Sequence, residues 1–236
     1  MKTIGLVGGT TWYSTLDYYR YFNEMINETL GGDEAAKVII NSVNYGEIKK
    51  LTHLNDWKSI SKIMCNAAKK AEEGGADCIL LGANTMHNVA GDVEKVLKVP
   101  FIHIAHETAK EINKQGIDTI ALLGTKYTME LDFFKDILTS YGIKTILPDE
   151  AGIEIINVAI YEELAKGIVL DNTKKSFMEI IDRLAGQGAD GVIMGCTEIP
   201  LLIKSPDCPL PLFDTTKIHA RAAVNFALGN EVVTEK

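Results

Sequence analysis

Nothing in this 236-residue chain approaches the ~20 consecutive apolar residues that cross a bilayer. The N-terminus MKTIGLVGG lacks a charged n-region, an apolar run and a cleavage site, so no secretory signal is expected. Cysteine is sparse: Cys65, Cys78, Cys196 and Cys208, none in CxxC or other metal-ligand spacing, which argues against a zinc site. Positive charge is short, with 24 Lys and Arg against 32 Asp and Glu and a net charge of −8. Non-specific nucleic-acid binding needs clustered cations and is disfavoured. An anionic small substrate stays open, because a local site can be cationic inside an acidic protein. There is no GxGxxG, no Walker Lys-[ST] and no serine elbow, so a mononucleotide site and a Ser–His–Asp hydrolase lack support. No Pro/Gly/Ser-rich linker marks a boundary. The expectation is a reduced, cytoplasmic, enzyme-sized protein without membrane or nucleic-acid partners, ending in a polar tail that frays.

What is present is a regular alternation. Short Ile/Val/Leu-rich runs at 3–7, 37–42, 78–81, 101–103, 119–123, 144–146, 191–194 and 210–213 read as strands buried on both faces. Amphipathic stretches at 59–73, 93–97, 105–114, 129–140, 158–166, 172–184 and 216–228 read as helices. That order predicts an α/β fold with mainly parallel sheets.

The chain also resembles itself. Ile4-Gly5-Leu6-Val7-Gly8 matches Ile120-Ala121-Leu122-Leu123-Gly124, an offset of 116. The segment from Gly75 to Ala83 matches that from Gly188 to Cys196, an offset of 113. Two pseudo-symmetric α/β domains facing each other across a cleft are expected. The first takes residues 1–104 plus 209–236, the second 105–208.

Ligands of open α/β sheets bind at the carboxyl ends of strands. The loop Gly8-Gly9-Thr10-Thr11 follows the first strand, where glycine lets backbone approach a ligand and a helix N-terminus offers N–H groups to an anion. Plain turn and capping chemistry is the competing reading. Asn84, Thr85 and His87 follow the third strand, and their side chains suit a carboxylate cradle. Thr125, Tyr127 and Thr128 follow the fifth, 119–123, and suit a second cradle or simple capping. Cys196, Thr197 and Glu198 end another, and a thiolate near a helix N-terminus is expected to have a lowered pKa. Cys65 and Cys78 read as core. The position equivalent to Cys196 in the first half is Ala83, which carries no thiol.

These segments together resemble the aspartate/glutamate racemase family, which works without pyridoxal phosphate. The resemblance covers nearly the whole length and rests on IGLVGGTTWYSTLDYYRYFNE, LLGANTMHNVA, ALLGTKYTME, GVIMGCTEIPLL and LFDTTKIHA. It implies an amino-acid racemase with no cofactor, acting on a small acidic amino acid or dicarboxylate, and a homodimer. It implies two thiols, one removing the α-proton and one delivering a proton to the opposite face, as inversion requires. Cys196 is the second-half thiol, with Thr197 beside it. Thr10, Asn84, Thr85, Thr125, Tyr127 and Thr128 fall on substrate-binding positions. Lys166 resembles a lysine that can hold the side-chain carboxylate, or is an ordinary solvated lysine.

Two positions depart from the family pattern. Ala83 stands where Cys-Asn-Thr usually begins, and Tyr13 replaces a usual Glu. Cys78 lies five strand residues upstream, roughly 16 Å away, and cannot substitute. Three functions therefore compete. One is racemisation with Cys196 on one face and Thr85, His87 or water on the other. Another is a one-thiol, decarboxylase-like reaction in which Cys196 protonates an enediolate. The last is non-catalytic dicarboxylate binding. An alanine introduced to disable position 83 would leave the same signature.

Overall fold

The computed structural model describes residues 1–230; the tail expected to fray, 231–236, lies outside the described residues. The chain divides into two compact units, Met1–Ile104 with the stretch from Thr216 onward, and Ala105–Thr215. In the first unit, β1 (Ile4–Gly8) lies between β2 (Val38–Ser42) and β3 (Cys78–Leu81), all parallel. In the second, β4 (Thr119–Gly124) lies between β5 (Lys144–Ile146) and β6 (Val192–Gly195), and β7 (Leu212–Asp214) extends the sheet beyond β6. All of these pairs are parallel too. Each sheet thus places its first strand between its second and third, the repeat expected from the sequence.

Burial on both faces explains the uninterrupted apolar runs. Alternation along the first sheet sends Ile4, Leu6, Cys78 and Leu80 to one side. There they meet Tyr18, Phe22, Met25 and Ile26 of the helix Trp12–Leu30, and Ala220, Ala223 and Val224 of the helix Thr215–Leu228. Val7, Ile79 and Leu81 face the other side, against Ile60, Met64, Ala67 and Ala71 of the helix Trp57–Glu73. Cys78 is a core residue, and burial pushes its thiol up to about 12.

Four local expectations are corrected. Residues 101–103 form only an isolated parallel bridge, Ile79 to Phe101, because the chain enters the helix Ile104–Lys114 at once. The 129–140 helix is two: Lys126–Glu130, capped by Thr125, then an extended Leu131, then Asp132–Ser140. The 158–166 helix starts at Glu150, because Asp149 accepts from the Gly152 N–H, and stops at Glu162 before the 3₁₀ turn Leu164–Lys166. Segment 209–215 belongs to the second unit, not the first, because Leu212–Asp214 pairs with β6; the chain re-enters the first unit at Thr216. A helix at Tyr45–His53 carried no expectation. Among the described residues, no helix is long and apolar enough to cross a membrane.

Candidate active site

Strand ends carry the polar residues in both units. In the first, β1 stops at Gly8 and Gly9 turns the chain at φ 84°. A Cβ there would also overlap the Val43 carbonyl, so position 9 demands glycine on two counts. The hydroxyl of Thr15 accepts from the Gly9 N–H at 2.8 Å, and Thr11 caps the helix by accepting from the Ser14 N–H at 3.2 Å. Ser14 Oγ donates to the Gly82 carbonyl at 2.6 Å, which ties this helix to the end of β3. Thr10 is 7% exposed, and its hydroxyl has no hydrogen-bond partner among the described residues. A buried hydroxyl left so is costly, and an anionic ligand would satisfy it.

Beyond β3 come Ala83, half-buried, then Asn84 and Thr85, both buried at the start of the 3₁₀ turn Thr85–Val89. His87 was one candidate for the acid or base missing at position 83. Both of its ring nitrogens are engaged: Nδ1 pairs with the Ala83 carbonyl at 2.9 Å, and Nε2 accepts from the Ile104 N–H at 3.3 Å. Proton transfer through His87 would therefore require one of these backbone bonds to break.

In the second unit, β4 and β6 end side by side at Gly124 and Gly195. After β4, Thr125 Oγ1 accepts from the Thr128 N–H at 3.3 Å and lies 3.1 Å from the Thr128 hydroxyl. Both threonines are buried; Tyr127 between them is half-buried. After β6 the thiol of Cys196 donates to Glu198 Oε2 at 2.9 Å, and Thr197 Oγ1 donates to the same oxygen at 2.6 Å. Glu198 is 4% exposed. Its signal was its place two residues past the cysteine, on the same turn.

The thiol departs from expectation. Its pKa is raised well above the ordinary value, first by burial, then by the Glu198 charge and the hydrogen bond to it. The helix that follows, Ile199–Leu202, is a single turn and offers little dipole to oppose that. The residue as a whole keeps partial exposure, and burial and Glu198 together favour its protonated form. Cys196 therefore rests as a neutral thiol. Lys166 is exposed, its Nζ donating to Glu162 Oε2 at 2.7 Å with both side chains more than half exposed.

Known proteins resemble this chain. The profile of the Asp/Glu/hydantoin racemase family matches residues 7–223. A candidate Asp/Glu racemase from Yersinia pestis is 45% identical, with a TM-score of 0.91 over 97% of this chain and 100% of that one. An aspartate racemase homologue from Pyrococcus horikoshii is 39% identical, with a TM-score of 0.86 and the same coverage. The broad specificity amino-acid racemase RacX of Bacillus subtilis is 25% identical over 170 residues, 72% of this chain and 73% of that protein. With the family profile spanning both units and both sets of strand ends, this chain belongs to the Asp/Glu/hydantoin racemase family.

Proposed function

We propose that the protein is a cofactor-independent amino-acid racemase in which Cys196 exchanges the α-proton of an acidic amino acid. The observation that carries this reading is the Cys196 thiol just past the end of β6, held 2.9 Å from the buried Glu198 carboxylate. On the opposite face, where Ala83 offers no carrier, water takes the α-proton; the Cys196 thiol then gives its proton to its own face of the planar carbanion and becomes a thiolate. In the reverse direction the thiolate takes the α-proton back, so one group serves both directions on its face. Thr10, Asn84 and Thr85 hold carboxylate oxygens, as does Thr197 once its hydroxyl turns from Glu198 to the substrate, with Thr125, Tyr127 and Thr128 as further donors; such donors stabilise the charge that develops beside the α-carbon. Lys166 meets the side-chain carboxylate by trading Glu162 for it. The trade is cheap, since an exposed ion pair is worth about 0–1 kcal/mol. A homodimer is the proposed working unit, to be checked by light scattering.

A second reading follows from Ala83. That position supplies no proton carrier, and a neutral thiol on one face is what single-sided protonation of an enediolate requires. On this reading the protein acts like a one-thiol decarboxylase on a malonate-type substrate.

One experiment separates the two. Each enantiomer of aspartate and glutamate is incubated with the protein in heavy water, and the α-proton is followed by NMR. Racemisation gives exchange with accumulation of the opposite enantiomer, and Ala83→Cys raises it by orders of magnitude. Exchange with retention, or turnover of malonates only, supports the one-thiol reading. The racemase reading fails if no enantiomer exchanges above a Cys196→Ser control.

A further inference from the structure

The histidine of Asn-Thr-Met-His is buried yet takes no part in the proposed chemistry. His87 is 2% exposed, and its own N–H donates to the Asn84 carbonyl at 2.9 Å. The two ring contacts determine its protonation. A backbone N–H can only donate, so Nε2, facing the Ile104 N–H, carries a lone pair. The proton of the neutral ring is therefore on Nδ1, where it is donated to the Ala83 carbonyl.

A second buried ring stands behind it. The His219 ring centroid lies 5.5 Å from that of His87. There the order is reversed: the Ile102 carbonyl can only accept, so Nε2 of His219 carries the proton and donates at 2.7 Å. Its Nδ1 accepts from the Tyr18 hydroxyl at 2.7 Å. The two rings thus link the helices Trp12–Leu30 and Thr215–Leu228 to the turn after β3. A charged His87 would set one donor against another at Ile104.

We propose that His87 is a positioning residue whose Nδ1–H tautomer clamps the Ala83 carbonyl. The Ala83–Asn84 peptide is one plane, with its N–H opposite its carbonyl. Holding that carbonyl orients the Asn84 N–H and sets where the Asn84 and Thr85 side chains begin. The clamp rests on the reading of those two residues as ligand-holding groups.

The test compares His87→Asn with His87→Gln in the full chain. The asparagine amide falls near Nδ1 and keeps the donor to Ala83; the glutamine amide reaches the Nε2 end instead. Histidine ¹⁵N NMR of the unaltered protein should show a neutral ring protonated on Nδ1. Calorimetric binding of L-aspartate should weaken about tenfold in His87→Gln, the scale of one lost hydrogen bond, and stay near the parent value in His87→Asn. In α-proton exchange the same loss should appear in KM with kcat little changed. A charged or Nε2-protonated His87 overturns the proposal, as does equal loss in both variants. If L-aspartate fails to bind the unaltered protein, the ligand reading fails on its own. The clamp is then judged by the amide resonances of Asn84 and Thr85: movement in His87→Gln alone supports it, and any other pattern overturns it.

Discussion

Replacing Gly195 by alanine should loosen the second unit and displace Cys196 together. Gly195 is the last residue of β6 and pairs with Gly124 at the end of β4. Its φ is not in the left-handed region, so the cost is steric. An added Cβ would lie 2.7 Å from the Leu123 carbonyl oxygen, 3.2 Å from Leu122 Cδ1 and 3.3 Å from Thr128 Cγ2. The first of these is backbone in a paired parallel strand and cannot rotate away. Relief requires the ends of β4 and β6 to part, and those ends carry Thr125 and Cys196. Overpacking of this kind costs about 1–3 kcal/mol. For a chain of this length each kcal/mol moves the melting temperature by about 2–4 °C, so a fall of about 2–12 °C is expected. A shift of the thiol approaching 1 Å would also slow exchange about a hundredfold. Gly186→Ala is the control. That residue ends the helix Asp171–Gly186, is exposed, and an added Cβ there meets nothing within 4 Å. It should stabilise by about 0.4–1 kcal/mol through the unfolded chain. Calorimetric melting of both variants, with exchange measured at 25 °C, decides the matter. If Gly195→Ala melts like the parent protein, or the two variants shift alike, the account of the β4–β6 contact is wrong.

Two further outcomes are expected. The folded-state pKa of His219 is depressed to about 3, chiefly by burial. Below about pH 6.5 the unfolded chain takes a proton that the folded one refuses, so stability falls as pH drops, by about 1.4 kcal/mol per unit until pH nears 3. Urea midpoints of the protein and of His219→Gln should therefore converge from pH 6.5 to pH 5, and parallel curves would refute this. Glu198→Gln removes the charge and the charged acceptor that hold the Cys196 proton, so the thiol pKa should fall. Iodoacetamide should then alkylate Cys196 several-fold faster at fixed pH, with Cys65 as internal reference; an unchanged rate contradicts the assigned cause.

Local pattern was enough for some features because local energetics decide them. The strands 78–81 and 144–146 stand where their apolar runs predict. Capping at Thr125, one of the two readings of its loop, follows from a side chain reaching its own backbone. Where local signals were balanced, tertiary contact won. Residues 101–103 lost their strand to the adjoining helix, and the chain re-enters the first unit at 216 because β7 found its partner in β6.

The sequence by itself determined the repeat, the parallel α/β architecture, the family and the absence of a thiol at position 83. Each of these depends on residue type and order. Tertiary structure alone decided the protonation of the groups at the strand ends. A thiol expected to be acidic is raised, because burial and a carboxylate 2.9 Å away both penalise its anion. A histidine offered as an acid or base is consumed by two backbone groups, one of them 17 residues further along the chain. Proton affinity depends on solvent exclusion and on how neighbours, near or far in sequence, are turned towards the group, which spacing along the chain does not encode.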